Sequence, residues 1–195
     1  MISISPLTQR YSPEAYLALE ETARERHEYI DGEIRLMPGG TRNHCKLGIW
    51  LCVLLTLAID SQPYEVYNGD MRLWIPQRNA YTYPDLTIVP QPSETQPGRD
   101  DVVINPVLIA EVLSKSTQAY DRGEKFAIYK AIPTLQEYLL IDQYQVEVWQ
   151  FIKQPDGQWQ EIILSGLDAT LTLTFANVTI QLADLYQKTD LIPEK

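Results

Sequence analysis

Histidine and cysteine are scarce in this chain, two of each in 195 residues. A zinc site usually draws its ligands from those two residue types, so the count argues against one. Cys45 and Cys52 fall seven apart in what reads as a single helix. That sets them about 10 Å apart along its axis, too far for a disulfide with each other. The expectation is a pair of reduced, buried thiols. Positive charge is also in short supply. Sixteen Lys and Arg stand against 26 Asp and Glu, a formal charge of −10. Such a chain repels a polyanion as a whole, so contact with nucleic acid needs a local basic patch, a metal or a dimer geometry. Long apolar runs are missing too. The longest, Leu47 to Ile59, has 13 residues, against the about 20 a membrane-spanning helix needs. The N-terminus lacks the basic-then-apolar pattern of a signal peptide. These absences predict a soluble, cytoplasmic protein with no membrane partner.

What is present is ordinary globular material, 45% apolar and 22% charged. Residues 1–195 read as a single domain, with no repeat, linker or low-complexity segment. Ser12-Pro13-Glu14 opens a helix to about Thr22. Asp31-Gly32 and Asn68-Gly69 each sit between alternating segments and signal two-residue hairpins. Thr41 caps a helix ending near Asp60, whose apolar residues on nearly every face predict the most buried helix. Strands follow over Tyr83–Val89 and Val107–Leu113, then a helix from about Gln118 to Ala131 that Pro133 ends. Further strands are expected over 137–141, 146–152 and 159–164 and around Leu171 and Ile180, with a last helical turn over 182–187. The residues after Leu191 are expected to be poorly ordered. The order of elements predicts an α+β fold, a mixed sheet flanked by helices, with an N-terminal helix-hairpin and extra C-terminal strands. Those apolar C-terminal strands make a homodimer plausible through sheet edges.

The chemistry concentrates between Tyr81 and Tyr129. Two apolar strand segments each carry one acid, Asp85 in Y-T-Y-P-D-L-T-I-V and Glu111 in V-L-I-A-E-V-L. An acid in such a run is costly unless paired or bound to a metal. Two carboxylates on adjacent strands repel unless a proton or a divalent cation lies between them, and oxygen donors suit Mg²⁺ or Mn²⁺. Asp121, Lys125 and Tyr129, spaced i, i+4, i+8, share one face of the following helix. A lysine there can orient a metal-bound water or offset charge on a phosphate. The plainer reading of Asp121 and Lys125 is a surface ion pair, which would be worth a few tenths of a kcal/mol.

The string V-I-N-P-V-L-I-A-E-V-L-S-K-S-T-Q-A-Y-D-R-G-E-K-F, with Y-T-Y-P-D upstream and L-Q-E-Y-L-L-I downstream, resembles the Uma-two family. These are restriction endonuclease-like proteins of the PD-(D/E)XK nuclease superfamily, and the resemblance runs from about Ser12 to Phe151. It implies a restriction endonuclease-like core and a Mg²⁺- or Mn²⁺-dependent endonuclease acting on DNA. Asp85 and Glu111 become metal ligands, and Glu33, in I-D-G-E, a further ligand. The superfamily places a lysine two residues after the second acid, where this chain has Leu113. The resemblance moves that role to Lys125 in preference to Lys115. His44, Asp70, Asp121 and Tyr129 are supporting candidates, His44 as a phosphate contact or a local cap. The alternative is an inactive relative of the nucleases that binds nucleic acid or protein and keeps the acids as relics.

Overall fold

The computed structural model describes residues 10–192, so the end of the segment after Leu191 lies outside the described residues. Ser12 caps α1 (Pro13–Glu20) by accepting a hydrogen bond from the Ala15 amide, and Pro13 supplies the first helical φ. β1 (His27–Ile30) and β2 (Glu33–Leu36) form the first expected hairpin. Asp31 and Gly32 turn it with φ of 45° and 94°, the left-handed pair a two-residue hairpin turn requires. Thr41 caps α2 (Arg42–Ala58) by accepting from the His44 amide.

The next six strands are β3 (Tyr64–Asn68), β4 (Arg72–Ile75), β5 (Ala80–Thr82), β6 (Leu86–Pro90), β7 (Val102–Val103) and β8 (Leu108–Leu113). β3 and β4 do not form the hairpin expected at Asn68-Gly69. β3 pairs with β6, whereas β4 pairs with β5 and β7 in another sheet. Their side chains explain the split: Tyr64 and Val66 pack under α2, while Leu73 and Ile75 enter a different core. The strand expected from Tyr83 starts only at Leu86, because Pro84 has no N–H to give a ladder.

A composite helix spans 118–129. Its first turn (Gln118–Tyr120) and last turn (Phe126–Tyr129) are α-helical, and Asp121–Lys125 between them is π-helical. The chain continues through β9 (Glu137–Asp142), β10 (Glu147–Lys153), β11 (Trp159–Ser165), β12 (Thr170–Leu173), β13 (Val178–Gln181) and a last helix, Leu182–Tyr186.

The central sheet has the order β11-β10-β9-β8-β6-β3, with β8 and β9 parallel and its other pairs antiparallel. A second sheet, β2-β1-β5-β4-β7, leads the N-terminal hairpin toward it. One face of the central sheet packs on α2, the β12–β13 hairpin and the last helix. The other face packs on the composite helix and the second sheet. The architecture is therefore the mixed α+β arrangement expected. Glu137 anchors the C-terminal hairpin to it. Its fully buried carboxylate accepts from Gln150 Nε2 at 2.8 Å, the Thr174 amide at 2.6 Å and the Phe175 amide at 3.3 Å.

α2 is not the uniformly buried helix its composition suggests. Leu47, Leu51 and Leu55 are fully buried, but Ile49, Val53 and Leu57 face outward, 68%, 36% and 73% exposed. Only one side of the helix lies on the sheet, so the opposite apolar stripe has no partner among the described residues. Cys45 on that helix is exposed and Cys52 half-buried, both free thiols, so the expectation of two buried thiols fails at Cys45.

Candidate active site

β8 is buried along its whole length, and its alternation sorts its side chains between two cores. Leu108, Ala110 and Val112 face α2, while Ile109 and Leu113 face the composite helix. Glu111 shares their parity, so an otherwise apolar face delivers one carboxylate to that helix. β6 runs antiparallel to β8 with Leu86 opposite Ala110. One residue further along this register, Asp85 comes opposite Glu111. The two acids singled out in the sequence are neighbours across the sheet, and both line one cleft of about 460 Å³.

The composite helix supplies the cation. Lys125 Nζ lies 2.8 Å from Glu111 Oε1 and 2.9 Å from Glu28 Oε1, and 3.9 Å from Asp121 Oδ1. Asp121 and Lys125 are both buried, so the reading as a surface pair is excluded. They bound the π-helical turn, a wider turn often found where helices carry function. Tyr129, fully buried one turn on, donates to Glu111 Oε1 at 2.8 Å and lies 3.3 Å from Thr82 Oγ1. It positions the carboxylate. Tyr120 donates to Glu28 Oε2 at 3.3 Å.

Asp85 is held differently. Its Oδ2 accepts the Val112 amide at 2.7 Å and lies 3.3 Å from His44 Nε2. His44 stands in the first turn of α2, behind Gly40. A Cβ on Gly40 would lie 2.8 Å from His44 Nδ1, so glycine is what lets the imidazole pack there.

Three of the candidate residues lie apart from this cluster. Glu33 is not in the cleft: at the hairpin tip, opposite Ile30, its carboxylate pairs with Arg35 at 3.0 Å. Glu28, on the same hairpin opposite Arg35, stands in the cleft instead and was missed. Asp70 pairs with Arg26 at 2.7 Å and accepts from Asn68, shaping the turn after β3. Lys115 reaches the cleft wall, exposed and with its ammonium 5.3 Å from the Tyr144 ring, without an ion pair to the acids.

The electrostatics follow from four acids around one lysine. Burial, only partly offset by Lys125 and reinforced by Asp85 and Asp121, pushes the Glu111 carboxyl up to about 8. Burial also raises Asp121, against Lys125. Burial works to lower Lys125, but Glu111 and Glu28 outweigh it and keep the ammonium charged well above its usual range. Burial likewise works to lower His44, and Asp85 outweighs it, so the imidazole titrates above its ordinary value. Among the described residues, Asp85 Oδ1 and Glu111 Oε2 make no hydrogen bond, and Glu28 Oε1 is buried with its ion pair to Lys125 but no hydrogen bond. The oxygens that Asp85 and Glu111 turn to the cleft suit a hard divalent cation in kind, but as the side chains lie no group of three or more acids, histidines or cysteines among the described residues is placed to hold one.

A family model, Uma2, described as "Putative restriction endonuclease", matches residues 13–183. Two uncharacterised proteins of Synechocystis sp. (strain ATCC 27184 / PCC 6803 / Kazusa) are similar over most of their length. One, sll1609, is 41% identical over 163 residues, 84% of this chain and 92% of its own. The other, slr1290, is 40% identical over 161 residues, 82% of this chain and 84% of its own. A crystal structure from Anabaena variabilis ATCC 29413, titled as a "putative nuclease belonging to DUF820", superimposes with a TM-score of 0.74. It is 17% identical, with 91% of this chain and 98% of that one covered, and so shares the fold.

Proposed function

This chain belongs to the Uma2 family, and from that premise we propose that it is an endonuclease hydrolysing phosphodiester bonds in DNA with Mg²⁺ or Mn²⁺. The observation that carries the reading is Lys125 bridging Glu111 and Glu28 in a cleft that Asp85 also lines. Asp85, Glu111 and Glu28 would hold the ion, with Glu28 taking the part expected of Glu33. The ion, when bound, polarises a phosphoryl oxygen and lowers the pKa of water.

The chain's own residues do the rest. Lys125, locked in its charged form by two carboxylates, donates N–H to the attacking water and to charge developing on the phosphoryl oxygens. It does not act as the base. The water oxygen forms the new P–O bond and its proton passes to a carboxylate of the cluster, while the ester P–O bond breaks and the departing sugar oxygen takes a proton from solvent. Tyr129 keeps Glu111 aimed, and Asp85 raises the His44 imidazole above its ordinary pKa, which favours its contact with a phosphate in the cleft. DNA as substrate implies work in the cytoplasm. The alternative of an inactive binding module draws on the net charge of −10, which still stands, and on Leu113 at the usual lysine position. Lys125, 2.8 Å from Glu111, removes much of the second motive.

The test is Asp85→Ala and Glu111→Ala, assayed on plasmid and linear DNA with Mg²⁺ and with Mn²⁺. Loss of metal-dependent cleavage with an unchanged circular dichroism spectrum is expected. Wild-type cleavage in either variant would overturn the assignment.

A further inference from the structure

The outward side of α2 is the feature that neither fold nor site explains. Ile49, Val53 and Leu57 form an i, i+4, i+8 ridge of exposed apolar side chains. No charged residue interrupts the helix between Lys46 and Asp60. The ridge is also symmetric. Ile49 and Leu57 lie four residues either side of Val53, and Lys46 and Asp60 lie seven either side. Seven residues is close to two turns, so Lys46 returns close to the azimuth of Val53, while Asp60 stands exposed in the turn two residues past the end of the helix.

We propose that this face is a two-fold interface with a second copy of this chain, the two α2 helices packing antiparallel about Val53. A two-fold demands a self-complementary patch, in which residue i meets j and j meets i. Here Ile49 meets Leu57, Val53 meets itself, and Lys46 meets Asp60. Lys46 already holds Asp190 at 2.6 Å, and its ammonium has further donors for a second carboxylate. Asp60 is exposed. Antiparallel pairing also sets each helix N-terminus beside the other's C-terminus, which the helix dipoles favour. A shallow crossing of about 20° keeps both charge pairs in reach. A helix of this length spans about 25 Å, enough for an interface of about 1,000 Å², the size of a weak, transient pair. We take the dimer to be a weak, reversible one in the micromolar range. Its partner helix would roof the rim of a second cavity beside Asp85, which Cys45, Ile49, Cys52 and Val53 line together with Arg26 and Asp70. The interface lies on α2, not on the C-terminal strand edges the sequence suggested.

Sedimentation velocity of the whole chain from 1 to 200 µM (roughly bracketing that affinity) reads the equilibrium. The wild type is expected to move from monomer to dimer. Val53→Lys, which sets two lysines against each other at the axis, is expected to be monomeric throughout, and Asp60→Lys to weaken the dimer about tenfold or more. The double exchange Lys46→Glu with Asp60→Lys is expected to recover most of it, since the pairing is restored in reverse. A Val53→Cys chain lacking Cys45 and Cys52 is expected to cross-link to itself on oxidation. A wild type that stays monomeric, or a dimer indifferent to Val53→Lys and Asp60→Lys, would overturn the proposal.

Discussion

Lys125 Nζ lies 2.8 Å from Glu111 Oε1, joining a π-helical turn to the middle of the buried strand β8. Both side chains are about 6% exposed, so neither charge is shared with much water. A buried pair of this kind is a poor source of stability in itself, yet breaking it from one side leaves the other charge stranded. The lysine also serves Glu28, so a single ammonium organises acids from the N-terminal hairpin and the central sheet.

From that geometry Lys125→Met should lower metal-dependent DNA cleavage by about 10²- to 10³-fold, while Lys115→Met stays within a few-fold of wild type. Loss of the ammonium also strands buried acids, at a cost of about 3–5 kcal/mol. Pairing Lys125→Met with Glu28→Gln removes one of those acids and should recover part of the urea midpoint without recovering activity. Equal losses in Lys115→Met and Lys125→Met would count against the assignment of the lysine.

Much of this site was legible because an acid among V-L-I-A and V-L has no cheap place to go, and Glu111 and Asp85 do meet across adjacent strands. Helical spacing set Lys125 on one stripe with Asp121 and Tyr129, which the π turn preserves as a common buried face, but only the family resemblance preferred it to Lys115 and to a surface ion pair. Glu28 was overlooked although it precedes Tyr29 and Ile30, both buried, much as Glu111 sits among apolar neighbours. The hairpin register decides between it and Glu33, since Glu28 lies opposite Arg35 and Glu33 lies at the tip. The two-residue turn at Asp31-Gly32 already sets that register, but pairing with β5, which carries the hairpin to the cleft, is not revealed by local spacing. The same holds at Asn68-Gly69. The turn signal is genuine, but the strands on either side find partners in different sheets.

Glu111 should also leave a mark on stability in the absence of divalent cations. Its folded carboxyl is raised to about 8 by burial, against an ordinary value near 4.5. The sign is that of a raised pKa: the contribution is fully present below the unfolded value and is lost as pH rises through the folded one. Urea midpoints of the metal-free protein should therefore fall between pH 5 and 9, and the fall should be shallower in Glu111→Gln. Added Mn²⁺ should stabilise the wild type more at pH 8.5 than at pH 6, because the ion needs the ionised carboxylate. Parallel pH profiles for wild type and Glu111→Gln would sink this expectation.

His44 offers a direct readout of the Asp85 environment. Burial alone would pull the imidazole below its ordinary 6.5, but the hydrogen bond and charge of Asp85 raise it above. Removing the charge with Asp85→Asn leaves burial opposed only by the more distant Asp121, so the His44 pKa should fall. NMR titration can follow this simply, since His27 is the only other histidine and His44→Gln identifies the resonance. Gly40→Ala should act in the same direction by a different route, its Cβ pressing on Nδ1 and prising the ring from Asp85. The linked stability has the sign of a raised histidine, present below 6.5 and lost as pH rises through the folded value. Asp85→Asn should remove it, flattening the wild-type decline across that window. A His44 titration that is the same in wild type and Asp85→Asn would show that the carboxylate does not hold the ring.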